Sequence, residues 1–451
     1  MERKHLFSLS GWLAIVSAGC LLGSGVSADD STVTLRTSLD RPLIDLNSDD
    51  RKVVIKIEVE GGKAKQKKRM PINLAIVLDR SGSMSGAKLE QAKQAACYLV
   101  EQLDPSDVLS VVLYDTEVQV AMHAERVGNR SAKIQKMIRG IQTGGSTALY
   151  GGVEAGGREL EEFLSKERIN RVMLLSDGIA NVGPSSNREI ANLGNRLSRK
   201  GMSVTTIGLG DDYNETLMTA LAEASDANYY YVADVEELPK VFKKELGELK
   251  SIVAKEIEIR IRCPKGVRPL RILGRPGDLS NQEESVTFAT LSSEQNREIF
   301  IECEIDSDAL GEITEIASVQ ADYRNSLVDR NETTKAKAVV VGYSKDSKIA
   351  AAVIDHAIAA EAEVSRNAEE VEKAIALADK GDAEGSRQCL TKQQAKLKSA
   401  YAVAPAAQKE VLEQEIRYLD EAVSDLDRAG DLSPGQRKVM TNRSWELRNS
   451  K

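Results

Sequence analysis

The sequence predicts an α/β domain built on a doubly wound, mostly parallel sheet, inserted into a β-sandwich and followed by a helical region. Three observations lead there. Between Pro71 and Leu249, short apolar runs alternate with amphipathic segments, the pattern of right-handed crossovers onto a parallel sheet. From Ile252 to Tyr343 the period changes to two, with loops rich in Gly, Pro, Asp and Ser between the runs. From Lys345 to Gly430 the chain turns Ala- and Glu-rich and is nearly free of Gly and Pro.

The first 28 residues read as a secretory signal peptide. Arg3 and Lys4 give a basic start, Trp12 to Val26 is apolar, and small residues at Ser27-Ala28 place cleavage after Ala28. A competing reading is a lipoprotein signal acylated at Cys20, which Ala18-Gly19 precede. Ser17 stands where such signals prefer an aliphatic residue, and the apolar run continues past Cys20, so simple export is adopted. Residues 29–70 contain the strand-like "VVIKIEVE" but are too short to fold alone. They are expected to pair with strands of a β-sandwich domain at 251–343, which makes 71–250 the insertion.

Within 71–250, "INLAIVLD" is a continuous apolar run, as in a parallel strand covered on both faces. Leu89, Ala92, Ala96, Leu99, Val100 and Leu103 then follow at helical spacing. "DVLSVVLYDTEVQVAMHA" reads as two strands around a turn near Asp115, and "RSAKIQKMIRGIQT" as an amphipathic helix. The glycine-rich "GGSTALYGG" leads into helix "VEAGGRELEEFL", and "NRVMLLSD" repeats the first strand's apolar run and terminal aspartate. Helices and strands alternate from there to "LPKVFKKELGELK". In residues 344–430, breaks at "KGDAEG" and "VAPAAQ" separate three helices of a bundle or arm. Leu412, Ile416, Leu419, Val423 and Leu426 form a packing seam on the last of them. Residues 431–451 read as a flexible tail.

Composition narrows the function. A chain of 451 residues implies about two or three domains. A net charge of −8 argues against a nucleic-acid surface, and no later stretch reaches the roughly 18 to 20 apolar residues of a membrane span. The cysteines left after cleavage (Cys97, Cys263, Cys303 and Cys389) lack close C-x-x-C pairing. Cys263 and Cys303 each share the inward face of their strand, so a disulfide and two buried free thiols both remain open. Of three histidines, His5 leaves with the signal, and neither His123 nor His356 stands in a setting that suggests a catalytic base.

Ligands of such sheets bind beyond the carboxyl ends of the strands. Asp79 ends the first strand, Ser81 and Ser83 follow in its loop, Thr147 lies in "GGSTAL", and Asp177 ends "VMLLSD". Two carboxylates and three hydroxyls, with no imidazole or thiolate, suit a small hard cation such as Mg²⁺ or Mn²⁺. "GGSTALYGG" lacks the lysine of a phosphate loop, which argues against nucleotide binding. Arg80, a large cation inside the motif, is read as pointing to solvent. Asp211 and Asp212, at the same sheet edge, are read as capping groups that could also tune the metal face.

Here the chain resembles the von Willebrand factor A family, a Rossmann-like fold with a metal-ion-dependent adhesion site. The family signature D-x-S-x-S stands as Asp79-Arg80-Ser81-Gly82-Ser83, its loop threonine matches Thr147, and its second aspartate matches Asp177. The resemblance covers residues 71–250, and the overall layout is similar to secreted bacterial proteins that carry this domain. It implies that the serines and threonine contact the metal through their hydroxyls, while the aspartates bind directly or through water. One position is left for an Asp or Glu of a protein ligand. The function expected is therefore an exported, non-enzymatic binding protein acting in the periplasm, outside the cell or on its surface. The alternative is a cell-envelope assembly or maturation factor that recruits a secreted complex. A metal-assisted hydrolase comes third, for want of a poised histidine base.

Overall fold

Hydrophobic alternation builds the first strands onto a sandwich. In a computed structural model, which describes residues 32–63, 69–275, 279 and 281–449, these are β1 (Val33–Leu39), β2 (Leu43–Asp45) and β3 (Lys52–Gly61). The signal-peptide and Cys20 readings lie outside the described residues. β1 and β3 pair antiparallel, and the chain then leaves the sandwich.

The central domain runs through β4 (Ile72–Asp79), α1 (Ala87–Gln102), β5 (Val108–Tyr114), β6 (Val118–Arg126), α2 (Ser131–Arg139) and α3 (Leu149–Glu161). It continues through β7 (Ile169–Ser176), α4 (Asn187–Arg199), β8 (Ser203–Leu209), α5 (Glu215–Ala224), β9 (Tyr229–Val232) and α6 (Leu238–Lys250). Its sheet has the order β6-β5-β4-β7-β8-β9 among the described residues, parallel except for the edge strand β6. β4 is buried along its whole length, because its side chains alternate between two covered faces. Leu74, Ile76 and Leu78 pack with α1, α2 and α6, while Ala75 and Val77 pack with α3, α4 and α5. Helix α3 lies very close to the sheet: a Cβ on Gly156 would stand 2.6 Å from Val77, and one on Gly152 2.8 Å from the Tyr114 ring. The strand order diverges to either side of β4, so a crevice opens at the carboxyl ends of β4 and β7. The doubly wound α/β class predicted from the alternation is the one observed.

The chain returns through β10 (Ile252–Arg262), β11 (Val267–Ile272), β12 (Glu283–Ser292), β13 (Asn296–Ile305), β14 (Glu315–Asn325), β15 (Arg330–Thr333), β16 (Lys337–Val340) and β17 (Gly342–Ser344). One sheet is β1-β3-β13-β11; the other is β12-β10-β14-β15, with β16 also on β14. Ile55, Ile57, Ile301 and Cys303 of the first sheet meet Ile259, Ile261 and Val319 of the second in a shared core. The insertion begins and ends at one place. Gly61 lies so close to Ser292 that a Cβ would sit 2.1 Å from its carbonyl oxygen, and Ile252 is the register partner of the same Ser292. A domain whose ends meet can be inserted without distorting its host.

The remaining helices are α7 (Ser347–Ala352), α8 (His356–Ala378), α9 (Ala383–Val403), α10 (Ala406–Ala429) and α11 (Pro434–Asn449). Val371, Leu390, Leu397, Leu412, Leu419 and Leu426 form the bundle core, and α8 also covers the sandwich through Ile358 and Ala362 against Val54 and Phe300. The flexible tail expected at 431–451 is corrected by α11. Its few apolar residues serve separate cores: Met440 joins the bundle, and Trp445 joins the central domain, its ring edge-on to Tyr229 at 6.0 Å. Lys438 is buried too, 3.2 Å from Glu215 and over the Tyr213 ring. Because Met440 and Trp445 serve different partners, they leave no periodic stripe for a sequence reading to find.

Candidate metal centre

The end of β4 delivers Asp79 to the crevice, wholly buried. Its Oδ1 accepts the Ser81 N–H at 2.8 Å and its Oδ2 accepts the Ser176 hydroxyl at 2.9 Å. The chain then forms a 3-10 turn over Gly82–Met84 before α1 begins. This turn brings Ser81 and Ser83 side by side, their hydroxyl oxygens 3.0 Å apart. Ser83 donates to Asp177 Oδ1 at 2.7 Å, so a continuous polar chain runs from the β4 loop to the β7 loop.

The glycine-rich loop is pinned against this turn by backbone hydrogen bonds. Gly144 N–H donates to the Arg80 carbonyl at 2.6 Å, Gly82 N–H to the Gly145 carbonyl at 2.9 Å, and Ala148 N–H to the Asp115 carbonyl at 2.8 Å. A side chain at Gly144 would displace the Asp115 carboxylate, since its Cβ would stand 1.8 Å from Oδ2. That same carboxylate oxygen holds Arg80 Nε at 2.8 Å. Arg80 therefore points not to solvent, as its size and charge suggested, but into a contact that braces the loop. Thr147, its N–H on Asn181 Oδ1 at 2.9 Å, enters the crevice beside Gly178. A Cβ at Gly178 would stand 3.1 Å from the Thr147 hydroxyl oxygen and 3.4 Å from that of Ser83. The absent side chain leaves a small cradle between hydroxyls.

Electrostatics sets the cradle apart. Burial, with the neighbouring Asp177 adding to it, pushes the Asp79 carboxyl up to about 6. Among the described residues no lysine or arginine pairs with Asp79, so its charge is met only by neutral donors. A small divalent cation would supply the missing charge, and an oxygen-only donor set matches its preference. The set fits the ion. Among the described residues no group of three or more His, Cys, Asp and Glu side chains is placed to hold a metal; this centre has two carboxylates and otherwise hydroxyls.

All five predicted oxygens thus lie at one sheet edge. Asp211 is engaged elsewhere, accepting the Tyr231 hydroxyl at 2.6 Å, and His123 is exposed beside Glu159. Sequence reasoning missed Lys88, whose ammonium lies 2.6 Å from Asp177 Oδ2, and the supporting Ser176 and Gly178. Ser176 and Gly178 flank Asp177 in "LLSDG", so position alone could have flagged them; Lys88 carries no such signal.

Residues 73–244 match the profile of the von Willebrand factor type A domain. They form a domain of that family. The Synechocystis protein sll0103 is 31% identical over 185 residues, covering 41% of this chain and 43% of that protein. Escherichia coli YfbK is 27% identical over 228 residues, covering 50% of this chain and 40% of that one. The chain therefore spans about two-fifths of the length of these curated relatives. Among solved structures, a von Willebrand factor type A protein from Catenulispora acidiphila superposes with a TM-score of 0.68 at 15% identity. That match covers 93% of this chain and 97% of the other, so the likeness in fold extends beyond the A domain. A domains typically hold a divalent metal at this edge and commonly mediate protein–protein binding.

Proposed function

We propose that this is an exported, non-enzymatic binding protein whose A domain grips an acidic residue of a protein ligand through a Mg²⁺-type ion, with Mn²⁺ as the other candidate. Asp79, Ser81, Ser83, Thr147 and Asp177 would hold the ion. The observation that carries this is the buried Asp79, without a lysine or arginine partner among the described residues and set beside two serine hydroxyls and the Gly178 cradle. Bound there, the ion supplies a coordination position that a carboxylate can take. The chain's own part is to hold the oxygens in place through the pinned loops and to keep the edge open. Ile179, two residues after Asp177 and 60% exposed, offers an apolar contact for a residue flanking the acidic one. Binding rather than hydrolysis is supported by the settings of the two histidines within the described residues: His123 faces solvent, and His356 opens α8 on the helical side. Export rests on the N-terminal sequence, and among the described residues no helix is long and apolar enough to cross a membrane.

Calorimetry with Mg²⁺ and Mn²⁺, followed by capture of envelope and extracellular proteins with and without EDTA, tests both steps. The expected result is saturable metal binding and EDTA-sensitive capture of a protein that loses binding when its acidic residue is neutralised. No binding of either ion, or capture indifferent to EDTA, would overturn the proposal.

A further inference from the structure

Lys88 stands in the first turn of α1, and its side chain turns back onto the metal edge. Its ammonium is 2.6 Å from Asp177 Oδ2; the lysine side chain is 26% exposed and that of Asp177 is 0%. The other carboxylate oxygen is taken by the Ser83 hydroxyl. Gly210 backs the lysine, since a Cβ there would stand 3.7 Å from Nζ. The two aspartates of the centre are therefore unequal. Asp177 carries a cation from the chain itself, and among the described residues Asp79 carries none.

We infer that Lys88 sets the charge of the centre: it weakens the hold on a divalent cation and strengthens the loaded site's hold on a ligand carboxylate. The inference rests on the five oxygens being a metal site. Two aspartates alone carry two negative charges, which a divalent ion would cancel. With Lys88 present, the empty centre carries one negative charge and the loaded centre one positive charge. A single carboxylate then restores neutrality. The two steps respond in opposite directions to the loss of the lysine's charge, which a lysine serving only to pack would not produce.

The test uses the full chain with Lys88→Met, which keeps an unbranched stem, with Lys88→Gln as a second neutral variant and Lys88→Arg to retain the charge. Electron paramagnetic resonance of free Mn²⁺ gives metal affinity. Sodium acetate is then titrated into the Mn²⁺-saturated protein, and water-proton relaxation reports the water it displaces. A charge a few ångströms from the site shifts an equilibrium by about tenfold or more. The neutral variants should therefore bind Mn²⁺ at least about tenfold more tightly and acetate about tenfold more weakly, with Lys88→Arg close to wild type in both. Binding of Mn²⁺ by the neutral variants and not by wild type would also support the inference, as the extreme of the same effect. Unchanged Mn²⁺ affinity in both neutral variants, or metal and acetate affinities that move together, would overturn it while leaving the metal site intact. Failure of wild type and all variants to bind Mn²⁺ would overturn the metal reading itself.

Discussion

Two aspartates of the A domain are fully buried at opposite ends of the same sheet, and they are met by different partners. Asp107 precedes β5 at the amino end, beside the start of β4. Arg69 clamps it with both guanidinium nitrogens, Nη1 to Oδ1 at 3.0 Å and Nη2 to Oδ2 at 2.6 Å, and the Ile72 and Asp104 N–H groups each donate at 2.8 Å. Asp79, at the carboxyl end, receives one backbone N–H and one serine hydroxyl. A buried carboxylate normally comes with its own counter-charge, because removing it from water is costly. The amino end obeys that rule within the chain. At the carboxyl end Asp177 has Lys88, whereas Asp79 has no lysine or arginine partner among the described residues. Under the proposed function a metal ion meets its charge, and that difference would separate a structural aspartate from a binding one.

The comparison breaks first at Asp107. Asp107→Ala strands part of Arg69 and two backbone donors, and should cost about 3–5 kcal/mol. Urea unfolding reads this, and the loss should be the same with Mg²⁺ and with EDTA. Asp79→Asn should behave in the opposite way. In EDTA its unfolding free energy should lie within about 1 kcal/mol of wild type, because an unpaired charge has been removed. Wild type at a hundredfold excess of Mg²⁺ over its dissociation constant should gain about 2.7 kcal/mol, and the variant should gain nothing. An equal Mg²⁺ gain in both would end the distinction between the two aspartates.

Gly178→Ala sharpens it further, since the new Cβ enters the cradle between Thr147 and Ser83. Calorimetry should show metal binding weakened by about 1–2 kcal/mol, or roughly tenfold, with the unfolding midpoint in EDTA preserved. Thr147→Ala is the mildest change. It removes one neutral oxygen, so metal affinity should fall by about 0.5–1.5 kcal/mol. A larger loss than at Gly178 would mean that the threonine also holds the loop.

Much of this is legible in the sequence, because the signals are local. The run "INLAIVLD" spells a strand covered on both faces, and β4 is that strand. The doubly wound order follows from alternation, and the order in turn places the ends of β4 and β7 together. Asp79, Ser81 and Ser83 are neighbours in one turn, so their grouping needed no tertiary information. Thr147 and Asp177 could be added only because the topology returns their loops to the same edge.

What the sequence determined by itself is the class of the fold and the oxygen chemistry of one sheet edge, since periodicity and short motifs are properties of adjacent residues. Tertiary structure alone decided the charge at that edge. Nothing near Asp107 in the chain announces Arg69, 38 residues away, and nothing in "SGAKLEQ" aims Lys88 at Asp177, 89 residues away. The same holds for α11, whose Trp445 enters the A-domain core although its own segment reads as tail. Counter-charges and docked helices are chosen by what lies across the gap, and Coulombic and packing energies depend on that distance rather than on sequence separation.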